Sequence, residues 1–404
     1  MQAPDAVPPV TDAGERLLDA AHRLQPAISA ARSSFDRDRR LPDGLVQALA
    51  DAGLFALWLP RSLGGAELPP LDYLRIIEAL AYADGAVGWC ATIAAGTGRL
   101  AGSLMPEVAA EIFGGGRTIA VCMTNPAGKA VAVDGGYRVG GRWPYASFIG
   151  HSSWAAANCV LHDDAGPVRE ADGTPALRMV FLPRQSLEVL DTWHVGGLRG
   201  TGSHDFAVDG VFVPEPHVLP LREASPPARE AGPLYALPLL SAFVLCIAAV
   251  PLGIARAAID AAAGIARTRR RPDAGGRAQA SPLLLADLAR AEALLRAGRA
   301  YLIEALQALW LEAVAGRTPT PAQRVNLRLA CWHSTQCCTQ AVDLMYATTG
   351  GTALYETQPL ERCFRDVHAA AQHMALASAN LEPLGQALLD LEPLRPRAVD
   401  KTAR

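Results

Sequence analysis

Residues 231–255, AGPLYALPLLSAFVLCIAAVPLGIA, carry no charged side chain. A segment this long and apolar either crosses a bilayer or is enclosed by protein on every side. Two prolines, Pro238 and Pro251, interrupt it, and the rest of the chain has a soluble composition. The sequence therefore predicts a helix buried at the centre of a bundle, with no membrane contact. The partner helices are legible too. SPLLLADLARAEALLRAGRAYLIEALQALWLEAVAG, residues 281–316, is a long amphipathic run closed by the break RTPTP. Such lengths from Pro233 to about Leu391 suit a four-helix bundle.

The stretch before the bundle has a different character. From Thr11 to about Phe113, AGERLLDAAHRLQPAISAAR and PDGLVQALADAGLFAL place apolar residues at helical spacing. Pro42-Asp43 predicts a helix start and Gly53 a stop, and the LPRSLGGAELPP that follows is a loop. From about Thr118 to Leu221 short β-branched and aromatic runs alternate with Gly, Asp and Pro. That pattern predicts a compact antiparallel β-barrel or sandwich, with turns at Asp134-Gly135 and Asp209-Gly210. The implied division is a leader over 1–10, a helical domain over 11–115, a β domain over 116–225, a helical bundle over 226–392 and a tail over 393–404. The leader, MQAPDAVPPV, lacks the basic and apolar segments of a signal peptide.

The chain has 404 residues, half of them apolar, and a formal net charge of −3. That balance argues against nucleic acid as a partner, which needs a basic surface. The eight cysteines form no CxxC pair and no ligand cluster. Reduced, buried thiols in a cytoplasmic protein are the expectation, with neither a metal site nor a disulfide framework. GGLRGTGS, residues 196–203, has the wrong glycine order for a dinucleotide loop and precedes a strand, not a helix.

Four stretches occur in order and at suitable separations: DGAVGW at 84–89, GRWPYAS at 141–147, WHVGGLRGTGSHDFAVDGVFVPE at 193–215 and PLERCFRDVHAAAQH at 359–373. Through them residues 11–391 resemble the acyl-CoA dehydrogenase superfamily. The chain is most similar to the flavin-dependent two-component monooxygenases built on that fold, such as hydroxyphenylacetate hydroxylase, dibenzothiophene monooxygenase and the nitrososynthases. The resemblance implies an acyl-CoA dehydrogenase-like fold: a helical N-terminal domain, a central β domain and a C-terminal four-helix bundle. A dehydrogenase of this fold uses a glutamate to remove the substrate's α-proton. Its two known placements correspond here to Met374, beside His373, and to Phe243 or its neighbours, and neither holds an acid. Without a base that reaction has no route.

The implied activity is that of an oxygenase component. Reduced flavin (FMNH2 or FADH2) from a separate NAD(P)H:flavin reductase reacts with O2 to a C4a-(hydro)peroxide, which oxygenates a small organic substrate. An apolar pocket favours an aromatic substrate, as in natural-product metabolism. N-oxygenation of an amino sugar, an unusual thioester dehydrogenase and a non-catalytic scaffold are the alternatives. The resemblance makes His373, eight residues after Arg365, and Ser147 the catalytic candidates. Histidine titrates near neutral pH and suits a base or positioner, while a hydroxyl can both donate and accept at the flavin. Met123, Thr124, Trp143, Ser147, Arg269, Gly350 and Gly351 are the cofactor-binding candidates, Gly350-Gly351 as positions where missing side chains admit close backbone approach. Arg269, in RTRRR, would reach the flavin phosphate of a neighbouring subunit in a homodimer or homotetramer. Trp89 and Tyr145 would border the substrate. His368, five residues before His373, faces elsewhere and is expected to be structural.

Overall fold

The computed structural model describes residues 10–221, 228–268, 271–272, 278–279 and 282–391. Five helices come first: α1 (Asp12–Asp38), α2 (Asp43–Asp51), α3 (Pro70–Ala83), α4 (Gly85–Gly98) and α5 (Pro106–Phe113). Pro42 is the N-cap of α2, and Gly53 turns the chain beyond its end with a φ of 77°. Asp84 caps α4 by accepting from the Ala86 N–H at 2.9 Å, which satisfies one of the helix's free donors. Almost every residue of α4 is buried, so it runs through the interior and carries Trp89 with it.

An eight-stranded sheet follows: β1 (Ala120–Val133), β2 (Gly136–Ala146), β3 (Trp154–Asp163), β4 (Gly166–Pro167), β5 (Leu177–Pro183), β6 (Glu188–Leu190), β7 (His204–Pro214) and β8 (Val218–Leu221). The strand order is β6-β7-β2-β1-β3-β5-β8, with β4 paired to β3. Two details depart from the sequence expectation. The sheet is mixed, because β3 pairs parallel to β1 after the chain crosses over from β2. Asp134-Gly135 does turn the chain between β1 and β2, but Asp209-Gly210 lies inside β7. There Val139 pairs with Val211 and Gly141 with Val208, so Gly140 faces two residues, and Gly210 takes a φ of 60°. The glycine that suits a tight turn serves a bulge equally well.

The rest is helical: α6 (Pro233–Ala236), α7 (Leu239–Thr268), the short pair β9 (Arg271–Pro272) and β10 (Ala278–Gln279), α8 (Pro282–Val314), α9 (Pro321–Thr349), α10 (Pro359–Ala371) and α11 (Leu381–Leu391). Pro238 splits the uncharged stretch between α6 and α7, whereas Pro251 lies within α7. By length and composition α7 could cross a membrane, but 83% of its most apolar window is buried in protein. It packs against α3, α4, α9 and α10. The lack of charge ahead of Arg256 thus follows from a place at the centre of a helical core. The RTPTP break ends α8, and Thr320 with Gln323 forms a capping box that starts α9.

Contact between α3 and α7 depends on a missing side chain. A Cβ at Gly253 would lie 2.3 Å from the Glu78 carbonyl oxygen and 2.7 Å from the Tyr82 nitrogen. Both are backbone atoms and cannot swing away. Gly253→Ala should therefore force the two helices apart and cost about 1–3 kcal/mol, as overpacking does. Denaturant unfolding followed by circular dichroism measures this, and unchanged stability would show that the helices can separate freely.

Candidate functional site

The chain is strained at two residues where β2 ends and just beyond it. Tyr145 and Phe148 have φ values of 62° and 68°, a region costly for residues with side chains. The strain is held by Ser147 N–H donating to Tyr145 O at 2.8 Å and Phe148 N–H to Thr201 O at 2.8 Å. It breaks the alternation of the strand and places Ser147 among hydroxyls. Trp89 Nε1 donates to Ser147 Oγ at 3.0 Å, Ser147 and Ser203 lie 2.7 Å apart, and Ser203 and Thr201 2.6 Å apart. Thr201 Oγ1 donates to Leu198 O at 2.8 Å. A hydroxyl has one proton, so the terminal carbonyl fixes every direction: Ser203 donates to Thr201 and Ser147 to Ser203. One acceptor lone pair remains on Ser147 Oγ.

His373 faces this group. Its ring meets Trp89 edge-on, centroids 5.6 Å apart. It caps the turn at Met374–Leu376, with Nδ1 accepting from the Ala375 N–H at 3.2 Å. That assigns the proton of the neutral ring to Nε2. Burial pushes its pKa down to about 4, because an imidazolium would lose its hydration. The near-neutral titration expected from sequence is therefore absent in this state. Nε2–H is a hydrogen-bond donor, and the ring is a weak base.

These groups open on a cavity of about 690 Å³, also lined by Met123, Thr124, Tyr145, Trp193, Gly196 and Gln372. A second cavity of about 980 Å³ lies beyond it, walled by α7 and β5. Ile93, Cys122, Thr124, His373 and Met374 line both, so His373 stands at the junction. Phe243 lines the second cavity with His373 and Met374, which brings the two positions of a dehydrogenase base together with no carboxylate at either.

Other candidates lie elsewhere. Trp143 is fully buried, stacks on Phe206 at 5.1 Å and donates to Asn158 O at 2.8 Å. It supports the sheet and is not among the residues lining either cavity. Just beyond GRWPYAS, His151 contacts Leu41 O at 2.9 Å and Trp154 stacks on His217, so both are structural. Gly350 and Gly351 follow α9, exposed and outside both linings. Arg269 lies outside the described residues. His368 does border the first cavity, but its Nε2 contacts Asp343 at 2.8 Å. All eight cysteines are unpaired, and burial pushes Cys122 and Cys246 up to about 12. Among the described residues no cluster of His, Cys, Asp or Glu could hold a metal.

Family models for the acyl-CoA dehydrogenase N-terminal domain and C-terminal domain match residues 14–104 and 245–378. An indole-3-acetate monooxygenase of Pseudomonas putida is 31% identical over 90% of this chain and 91% of its own. The oxygenase subunit HsaA of a flavin-dependent monooxygenase of Rhodococcus jostii is 30% identical over 89% and 93%. The chain belongs to the acyl-CoA dehydrogenase superfamily. The structure of XiaF from a Streptomyces species, in complex with FADH2 and glycerol, superposes with a TM-score of 0.83 at 27% identity, covering 95% of this chain and 97% of that one. With these relatives, the chain is a flavin-dependent monooxygenase oxygenase component that uses reduced flavin and O2.

The first cavity fits a flavin on its own chemistry. Residues 124–127 fall in a register shift of β1 and have no strand partner on either side. The Thr124 carbonyl accepts from Asn158 Nδ2 at 2.8 Å, and Asn125 beside it on the cavity wall leaves backbone groups for ring carbonyls and nitrogens. Gly197 lets the opposite wall lie against α10, since a Cβ there would stand 2.1 Å from Arg365 O. Sequence reasoning did not single out Trp193, Thr201, Ser203 or Gln372, although GTGS in the third motif was a visible hydroxyl signal. Stability should report the shifted histidine. The unfolded chain takes up a proton on His373 near pH 6.5 and the folded one only near 4, so this group's share of stability falls as pH drops between them. His373→Gln should abolish that component, worth about 3 kcal/mol by pH 4. Parallel wild-type and variant denaturation curves at several pH values would disagree with this if their difference stayed constant.

Proposed function

We propose that this oxygenase takes reduced FAD or FMN into the first cavity and a small aromatic substrate into the second, with His373 between them. The observation that carries it is the convergence of Trp89, Ser147 and His373 on one cavity. The bound flavin supplies oxygen activation and transfer. Ser147, its proton committed to Ser203, is set to accept, and the N–H at N5 of a reduced flavin is a donor of that kind. Trp89 holds Ser147 from the other side. His373 presents a neutral Nε2–H, which orients a substrate oxygen or nitrogen and withholds a positive charge from the site. Met123 and Thr124 offer backbone to the ring, and Tyr145 with Trp193 closes the mouth, their rings edge-on at 6.4 Å.

A separate NAD(P)H:flavin reductase completes the system. A homodimer or homotetramer accounts for Gly350 and Gly351, which would serve a neighbour's site, and for exposed apolar residues on α8 such as Leu311 and Val314. Unpaired thiols suit the cytoplasm.

Anaerobic protein loaded with reduced FAD or FMN, mixed with oxygenated buffer in a stopped-flow instrument, should return oxidised flavin much more slowly than free flavin does. Ser147→Ala should quicken that return roughly tenfold or more, the worth of one buried hydrogen bond. Reoxidation indistinguishable from free flavin would remove the proposal.

A further inference from the structure

The second cavity is apolar along α7, where Leu239, Phe243, Val244 and Ile247 face it, yet a cation interrupts its wall. Arg328, on α9, lines the cavity and is half-buried. The contrast with the first cavity's arginine is instructive. Arg365 is clasped by Glu361 at 2.5 and 2.9 Å and by Asp36 at 3.3 Å. Arg328 has no carboxylate within 4 Å among the described residues. Its hydrogen bond there is a long one, from the guanidinium to Asn380 Oδ1 at 3.5 Å. The amide is oriented for this, because its Nδ2 donates to Met374 O at 2.8 Å and Ala377 O at 3.1 Å. Glu170 and Asp172 border the same cavity from the connection between β4 and β5. Asp172 is turned to its own Thr174, accepting from Oγ1 at 2.6 Å and from N at 2.9 Å.

A guanidinium drawn partly out of water without a counter-charge is costly. A bound carboxylate would offset that cost with two parallel charge-assisted hydrogen bonds, a geometry arginine matches and lysine does not. Asn380 also anchors the carbonyl of Met374, so the head group would be read one contact away from the turn that carries His373.

We propose that the substrate of this oxygenase is an aromatic acid, its ring against the α7 wall beside His373 and its carboxylate on Arg328, which makes Arg328 the specificity-determining residue. The proposal rests on the oxygenase reading above, but its test needs no turnover. Flavin-free protein is titrated by calorimetry with indole-3-acetate, 4-hydroxyphenylacetate and 1-naphthylacetate, each against its own primary amide. At least one acid should bind roughly ten- to a hundredfold more tightly than its amide. Arg328→Gln should erase that preference, while Arg328→Lys, which keeps the charge and controls for folding, retains part of it. The proposal is overturned if no acid exceeds its amide in the wild type, including the case in which neither binds, or if Arg328→Gln keeps the preference. Slow flavin reoxidation would survive that outcome, so failure over the substrate and failure over oxygen activation are told apart.

Discussion

The site hangs on one hydrogen bond, from the Leu198 N–H to Asp366 Oδ1 at 2.6 Å. Leu198 sits at a φ of 52°, a conformation its side chain disfavours, and the buried carboxylate of α10 holds it there. With its N–H taken, the Leu198 carbonyl accepts from Thr201 and from Trp193 Nε1 at 3.3 Å, and the hydroxyl row to Ser147 starts from that carbonyl. The position of a serine on the sheet is thus set by a carboxylate in the C-terminal helices. The same carboxylate belongs to a buried charge cluster. Burial and the nearby Asp84 push the Asp366 carboxyl above its ordinary range, against the pull of Arg362. Arg362 in turn reaches Asp36 at 2.6 Å and Asp84 at 3.4 Å. Three parts of the chain, α1, the start of α4 and α10, meet at this cluster.

Much of this was legible in the residues. The uncharged stretch required an enclosing bundle, and GRWPYAS and PLERCFRDVHAAAQH marked Ser147 and His373. The resemblance put Trp143 at the flavin and Tyr145 at the substrate, and residues two apart on a strand would share a face. The positive φ at Tyr145 breaks that rule and leaves Trp143 fully buried while Tyr145 is 73% exposed. Nothing local in GRWPYAS announces a left-handed tyrosine; the turn is held by Thr201, over fifty residues away. Arg328 gave no signal at all, because QRVNLRLACWH is an ordinary amphipathic run until α7 and the turn after α10 close over one side of it.

The histidine shows where residue identity ends and environment begins. The resemblance made His373 a catalytic candidate, with the near-neutral titration of an ordinary imidazole. The capping bond to Ala375 and the ring of Trp89 fix its tautomer and dry its surroundings. A neutral donor results, next to Met374, one of the two positions at which a dehydrogenase of the same fold keeps an acid.

The row from Trp89 through Ser147, Ser203 and Thr201 ends at both sides on groups that do not titrate, an indole N–H and a peptide carbonyl. Such a row has polarity but no conductance: a proton placed on Ser147 has nowhere to be handed on. The hydroxyls can hold a bound molecule in place without draining protons from it or delivering them to it. A proton released in the cavity therefore leaves by a route other than this row.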